Sequence, residues 1–129
     1  MVDSFGGHKK ILVVDDEKPL AKALNLKLTH EGFEAKVAFD GEEALTLLEK
    51  ENFDLIILDI MMPKVDGFGV MAELKKRGIA TPVIVSSNLS QGEDVEKLKK
   101  AGAVDYYVKS DVPIASVVER VKKVLDSKA

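Results

Sequence analysis

The sequence predicts an α/β fold: a (βα)5 chain that builds one doubly wound, five-stranded parallel sheet. Three observations predict it. Short apolar runs of β-branched and aliphatic residues, Ile11-Leu12-Val13-Val14, Leu55-Ile56-Ile57-Leu58, Val83-Ile84-Val85 and Tyr106-Tyr107-Val108, read as buried strands. Stretches with helical spacing separate them. Strands that alternate with helices imply a parallel sheet covered on both faces, joined by right-handed crossovers. Each run also ends in a polar group: Asp15-Asp16, Asp59, Ser86-Ser87 and Lys109. In such a sheet the carboxyl ends of the strands share one edge, and ligands bind in the crevice outside it.

Each element has its own signal. Leu20, Leu24 and Leu28 recur every four residues after the first strand, a helix face that Gly32 closes. Glu34 to Phe39 is the second strand. Asp40 and Glu43 form a capping box that opens a helix through Leu48. After Asp59, Met62-Pro63 and Asp66-Gly67 read as loop and turn. Phe68, Met71 and Leu74 then mark a helix that ends near Gly78. Thr81-Pro82 leads into the fourth strand, Val83 to Ser86. Ser90 and Glu93 make a second capping box for a helix with Val95 and Leu98, which Gly102 ends. Ala103 to Val108 is the fifth strand. Asp111 and Pro113 sit at the start of a last helix with the apolar stripe Ile114, Val117, Val118, Val121, Val124 and Leu125.

Composition narrows the function. The chain has 129 residues, the length of one ordinary domain, with 46% hydrophobic and 32% charged residues. We expect a loose tail over residues 1–8, one domain over 9–127 and no output domain. Nineteen basic against 22 acidic residues give a net charge of −3, which weighs against direct nucleic-acid binding. Cysteine is absent, so there is no disulfide or thiolate metal site, which fits a cytoplasmic protein. No apolar run approaches the roughly 20 residues needed to span a bilayer, so no membrane partner is expected.

The strand ends carry the chemistry. Carboxylates crowded at one edge repel one another unless a hard cation sits among them. Asp15 and Asp16 suit Mg²⁺, which takes oxygen ligands and keeps several waters. A carboxylate such as Asp59 can attack phosphorus to give an acyl phosphate. Lys109 supplies a compact positive charge for the developing phosphoryl oxygens, and Ser87 a hydroxyl that can donate to one of them.

Three segments, Val13-Val14-Asp15-Asp16-Glu17, Asp59 through Gly67 and Ala101 through Lys109, in this order and spacing, make the chain from Lys9 to Leu125 resemble the receiver domain of two-component response regulators. The resemblance implies a flavodoxin-like, CheY-like fold of strand order 2-1-3-4-5. It implies that Asp59 takes a phosphoryl group from the phosphohistidine of a histidine kinase. Asp16, Asp59 and the backbone carbonyl of Met61 would ligate Mg²⁺, with Asp15 acting mostly through metal-bound water. Lys109 would pair with Asp59 and then with the phosphoryl oxygens. Ser87 would be the switch hydroxyl and Tyr106 the switch aromatic, altering the face of the fourth helix, fifth strand and fifth helix, where Lys97 and Lys100 lie. Such a protein is not an enzyme in the usual sense. It is a phosphoacceptor that assists its own phosphorylation and dephosphorylation. It passes its state to a downstream protein or phosphotransfer partner, as a monomer or a weak, phosphorylation-dependent homodimer.

The chain also departs from the family pattern. Ser86 and Ser87 both stand near the switch position, and alignment to Pro82 favours Ser87. Asn88 replaces a small residue. Met61 and Leu89, two residues beyond Asp59 and Ser87, flank the path of a hydrolytic water and are apolar. Neither can orient it, so slow loss of the phosphoryl group is expected. Ser110 replaces a proline that often follows a cis bond. A cis bond before serine costs about 2.5–4 kcal/mol, so a trans bond is expected, with Ser110 or Asp111 capping the last helix.

Rival readings fare worse. A haloacid-dehalogenase-type phosphatase needs a second acid two residues after its nucleophile, where this chain has Met61. A flavodoxin-like cofactor binder needs backbone donors after the first strand, where Asp15-Asp16-Glu17 would repel a phosphate. A phosphorylation-independent adaptor would not need Asp15, Asp16, Asp59 and Lys109 together. His8 and His30 are isolated, and the Lys75-Lys76-Arg77 and Lys97-Lys99-Lys100 groups read as solvated helix faces.

Overall fold

The computed structural model describes residues 9–62, 65–87 and 92–128, with the backbone alone at 92–95 and 127–128. The expected tail at residues 1–8, Pro63, Asn88, Leu89 and the Ser90 end of the second capping box lie outside the described residues. Strands and helices alternate through the chain: β1 (Lys10–Val14), α1 (Lys18–His30), β2 (Glu34–Ala38), α2 (Gly41–Lys50), β3 (Leu55–Asp59), α3 (Gly67–Lys76), β4 (Val83–Ser87), α4 (Gly92–Ala101), β5 (Asp105–Val108) and α5 (Ile114–Lys128). All strand pairs are parallel, in the order β2-β1-β3-β4-β5. The fold class and strand order are those expected.

Side-chain alternation divides the core into two layers. Leu12, Val14, Ile56, Leu58, Val83 and Val85 face one side, where Val70, Met71, Leu74 and Leu98 of α3 and α4 cover them. Ile11, Val13, Leu55, Ile57, Ile84 and Tyr107 face the other, under Leu24, Leu28, Val117, Val118 and Val121 of α1 and α5. The central strands β1, β3 and β4 are buried almost throughout, as strands covered on both faces must be. The α1 stripe differs in one detail. Ala21, Leu24 and Leu28 are the buried residues, and Leu20 lies at the margin, because a 3.6-residue period drifts off a strict four-residue spacing.

Helix ends follow local chemistry. The Asp40 carboxylate accepts the Glu43 N–H at 2.8 Å, while Glu43 reaches back to accept the Phe39 N–H. Gly32 (φ 99°) and Gly102 (φ 105°) end α1 and α4 in the left-handed region, and the next N–H returns to Leu28 and Leu98 respectively. Because the Ala103 N–H is used there, β5 begins at Asp105 rather than Ala103.

Two expectations need correction. Asp66-Gly67 is more than a turn. Asp66 caps α3, its carboxylate accepting the Gly69 N–H at 2.9 Å. The Lys109–Ser110 bond is trans, as expected, but neither Ser110 nor Asp111 caps α5. Asp111 closes a turn onto the Val108 carbonyl. The first helical N–H groups, of Ser116 and Val117, go to the Pro113 carbonyl, so the helix opens at Ile114.

Candidate phosphoryl and metal site

Backbone pairing carries the strand ends past the ladder and fixes the edge. The Asp15 N–H bonds to the Ala38 carbonyl at 3.0 Å, Ile60 N–H to Ser86 at 3.2 Å, and Lys109 N–H to Ser87 at 2.7 Å. Asp15, Asp59 and Lys109 therefore sit on one continuous extension of β1, β3 and β5. Each buried acid is then aimed by a local turn in which its carboxylate accepts the N–H two residues on. Asp15 Oδ1 accepts from Glu17 at 2.9 Å, and Asp59 Oδ1 from Met61 at 3.1 Å.

The side chains meet. Asp15, Asp16 and Asp59 each bring a carboxylate oxygen within 4.8 Å of the others. Asp59 is only 2% exposed. The Lys109 ammonium, 6% exposed, lies 2.9 Å from Asp15 Oδ2, 2.9 Å from Glu17 Oε1 and 3.3 Å from Asp59 Oδ2. Burial drives the Asp59 pKa up to about 6, Lys109 works against that rise and Asp15 adds to it. Burial opposes the charge on Lys109, yet its hydrogen bonds to Asp15 and Glu17 hold its pKa above the ordinary lysine value. A cluster of all-oxygen donors, with one acid protonated well above its ordinary range, suits a hard divalent cation such as Mg²⁺.

The two serines occupy different surroundings. Ser86 pairs in register with Tyr107; burial pushes the pKa of the Tyr107 phenol up to about 12, and interaction with the Ser86 hydroxyl works against that rise. Ser87 follows on the opposite side of β4 by alternation, the side that carries Val85 and Tyr106. Tyr106 is half-buried against that layer. On the same side the Lys97 ammonium lies 4.7 Å from the Phe68 ring centre and ties α4 to α3. Met61 projects into solvent beside Asp59, 57% exposed.

Two residues at the site carry more than the sequence reading gave them. Glu17 closes the Val13–Glu17 motif with no role legible in sequence, yet it contacts Lys109. The available signal was a glutamate at a helix N-cap, where Ser, Thr, Asp or Asn is favoured. In sequence Gly67 is turn punctuation. A Cβ there would lie 2.7 Å from the Asp59 carbonyl oxygen and 2.7 Å from the Ile60 Cα. Its only sequence signal was the glycine itself.

Residues 11–122 match the response regulator receiver domain family. A probable transcriptional regulator, ycf27, of Cyanophora paradoxa is 45% identical over 105 residues, which covers 81% of this chain and 44% of that protein. The chain spans about half the length of the curated relatives it matches. Among solved structures, the receiver domain of the Francisella response regulator 1452 superposes with a TM-score of 0.89 at 37% identity, covering 95% of this chain and all of that one. The Thermotoga maritima response regulator TrrA, in complex with Mg²⁺–BeF, matches at 36% identity with a TM-score of 0.77 over 89% of this chain and 97% of its own.

Proposed function

Since the chain belongs to the response regulator receiver domain family of two-component systems, we propose that it is a phosphorylation switch whose acceptor is Asp59. The observation that carries this reading is the meeting of Asp15, Asp16, Asp59 and Lys109 at one sheet edge, with the acceptor carboxylate buried against the ammonium. The donor is the phosphohistidine of a histidine kinase. An Asp59 oxygen bonds to phosphorus as the P–N bond breaks, and the imidazole leaves with the bonding pair and takes up a proton. Lys109 turns from the carboxylates to the phosphoryl oxygens, where its charge offsets theirs.

Asp16, Asp59 and the Met61 carbonyl would hold Mg²⁺, with Asp15 acting through water. When bound, the ion neutralises donor and acceptor charge. The complex of TrrA with Mg²⁺–BeF supports the assignment. The phosphoryl group then offers Ser87 a strong acceptor, and a charge-assisted bond draws the end of β4 toward Asp59. Tyr106 turns inward on the same side. The face of α4, β5 and α5 shifts toward the state that binds a downstream partner or a second copy of the chain, and only by the differential stabilisation of that state. We place this activity in the cytoplasm; among the described residues no helix is long and apolar enough to cross a membrane.

The switch is tested by backbone amide NMR before and after acetyl phosphate treatment with Mg²⁺. The expected result is shifts that begin at Asp59 and spread through β4, α4 and β5 in the wild type, but stay local in Ser87→Ala. Shifts that spread equally in both proteins would contradict the role given to Ser87.

A further inference from the structure

We propose that Glu17 is a positioning residue that competes with Asp59 for the Lys109 ammonium until a phosphoryl group arrives; this rests on the receiver reading of Asp59 and Lys109 given above. The ammonium is closer to Glu17 and Asp15, 2.9 Å to each, than to Asp59, at 3.3 Å. Glu17 stands at the N-cap of α1, yet its side chain makes no cap hydrogen bond. A shorter Ser, Thr, Asp or Asn would cap the helix there. The longer carboxylate instead reaches across to Lys109, one residue past the end of β5. Its backbone is fixed for that reach, because the Glu17 N–H is bound by Asp15 Oδ1, and that Asp15 oxygen also accepts from Lys109. Glu17 and Lys109 are thus two arms of one arrangement centred on Asp15.

The consequence is competition for one cation. Phosphoryl oxygens on Asp59 need the Lys109 ammonium, and Glu17 shares it. Glu17 is also half-exposed, 51% for its side chain, so its hold is weak enough to be given up. The residue therefore restrains the unphosphorylated site and slows transfer, with no contact of its own to the donor.

The test compares initial rates of phosphorylation by acetyl phosphate at saturating Mg²⁺, read by intact mass, for the wild type, Glu17→Gln and Glu17→Asp. Glu17→Asp keeps the charge but loses the reach. Both variants are expected to react about two- to fivefold faster, the effect of one half-exposed ion pair. The gain from Glu17→Gln should vanish when Lys109 is already alanine, which a double-mutant cycle reads directly. A cycle on urea midpoints in EDTA gives a readout independent of transfer, and Glu17 and Lys109 should couple there too. If the wild type is phosphorylated and both variants match it, the inference is overturned while the receiver reading stands. If Glu17→Asp matches the wild type and Glu17→Gln alone is faster, only the charge of Glu17 acts and the positioning role is overturned. If the wild type takes no phosphoryl group, the receiver reading falls and this inference with it.

Discussion

Gly67, at the first position of α3, passes so close to Asp59 that the backbone of one and the carbonyl of the other leave no room for a methyl group. The Gly67 N–H also binds the Ile60 carbonyl at 3.0 Å, so the start of α3 is fastened to the residue after Asp59. Gly67→Ala must displace backbone rather than the tip of a side chain. We expect it to destabilise the fold by about 1–3 kcal/mol, read by urea unfolding, and to weaken Mg²⁺ binding because the turn holding Asp59 Oδ1 moves with it.

Asp59 gives stability a definite pH dependence. Burial raises its pKa in the folded chain from 3.8 to about 6, so the folded state binds the proton more tightly than the unfolded state. Its contribution is fully present below about pH 4 and is lost as pH rises through about 6, by at most about 3 kcal/mol. In EDTA, Asp59→Asn should therefore melt higher than the wild type at pH 7.5, and the two should converge toward pH 4. Millimolar Mg²⁺ should raise the wild-type melting temperature at pH 7.5 and leave Asp59→Asn nearly unmoved, as mass action requires of a ligand that needs this carboxylate. Equal responses of the two proteins to pH and Mg²⁺ would contradict the assignment.

The two adjacent serines should separate by phenotype. Ser86→Ala removes the hydroxyl that interacts with the buried Tyr107 phenol and should cost about 1 kcal/mol of stability. Phosphorylation and the switch should survive. Ser87→Ala should leave the rate of phosphorylation within a few-fold of the wild type and abolish the downstream shift. Thermal melts and partner-face NMR on the same pair of variants check both halves.

Met61 is expected to bear on the lifetime of the phosphoryl group. It is exposed beside Asp59 and offers no group to orient an attacking water. Replacing Met61 and Leu89 together by asparagine should speed loss of the phosphoryl group, measured as the decay of phosphorylated mass after the donor is removed. An unchanged decay rate would show that these positions do not limit hydrolysis.

The sequence carried the sheet and the site through features that are local or strictly periodic. Buried runs such as Leu55–Leu58 announce a strand because both faces are covered. The edge rule then brings Asp15, Asp59 and Lys109 together without further information. What remained hidden depends on contacts between distant segments. Glu17 looks like any acid at a helix start until β5 places Lys109 opposite it. The constraint on Gly67 appears only when α3 docks against the β3 end. Alignment to Pro82 favours Ser87 over Ser86, but the different surroundings of the two serines depend on a distant segment, because Ser86 pairs with Tyr107 on the adjacent strand. The start of α5 is hidden in sequence because Ser110 and Asp111 have the right side chains for a cap, while the turn onto Val108 uses that stretch first.

The central claim is that Asp59 accepts a phosphoryl group. The direct measurement is the intact mass of the protein after acetyl phosphate and Mg²⁺, beside Asp59→Ala, with the modified peptide mapped. The account predicts one acid-stable, base-labile phosphoryl group on Asp59 in the wild type and none in the variant. A wild type that takes no phosphoryl group across donors and pH, or a variant that takes one equally well, would contradict it.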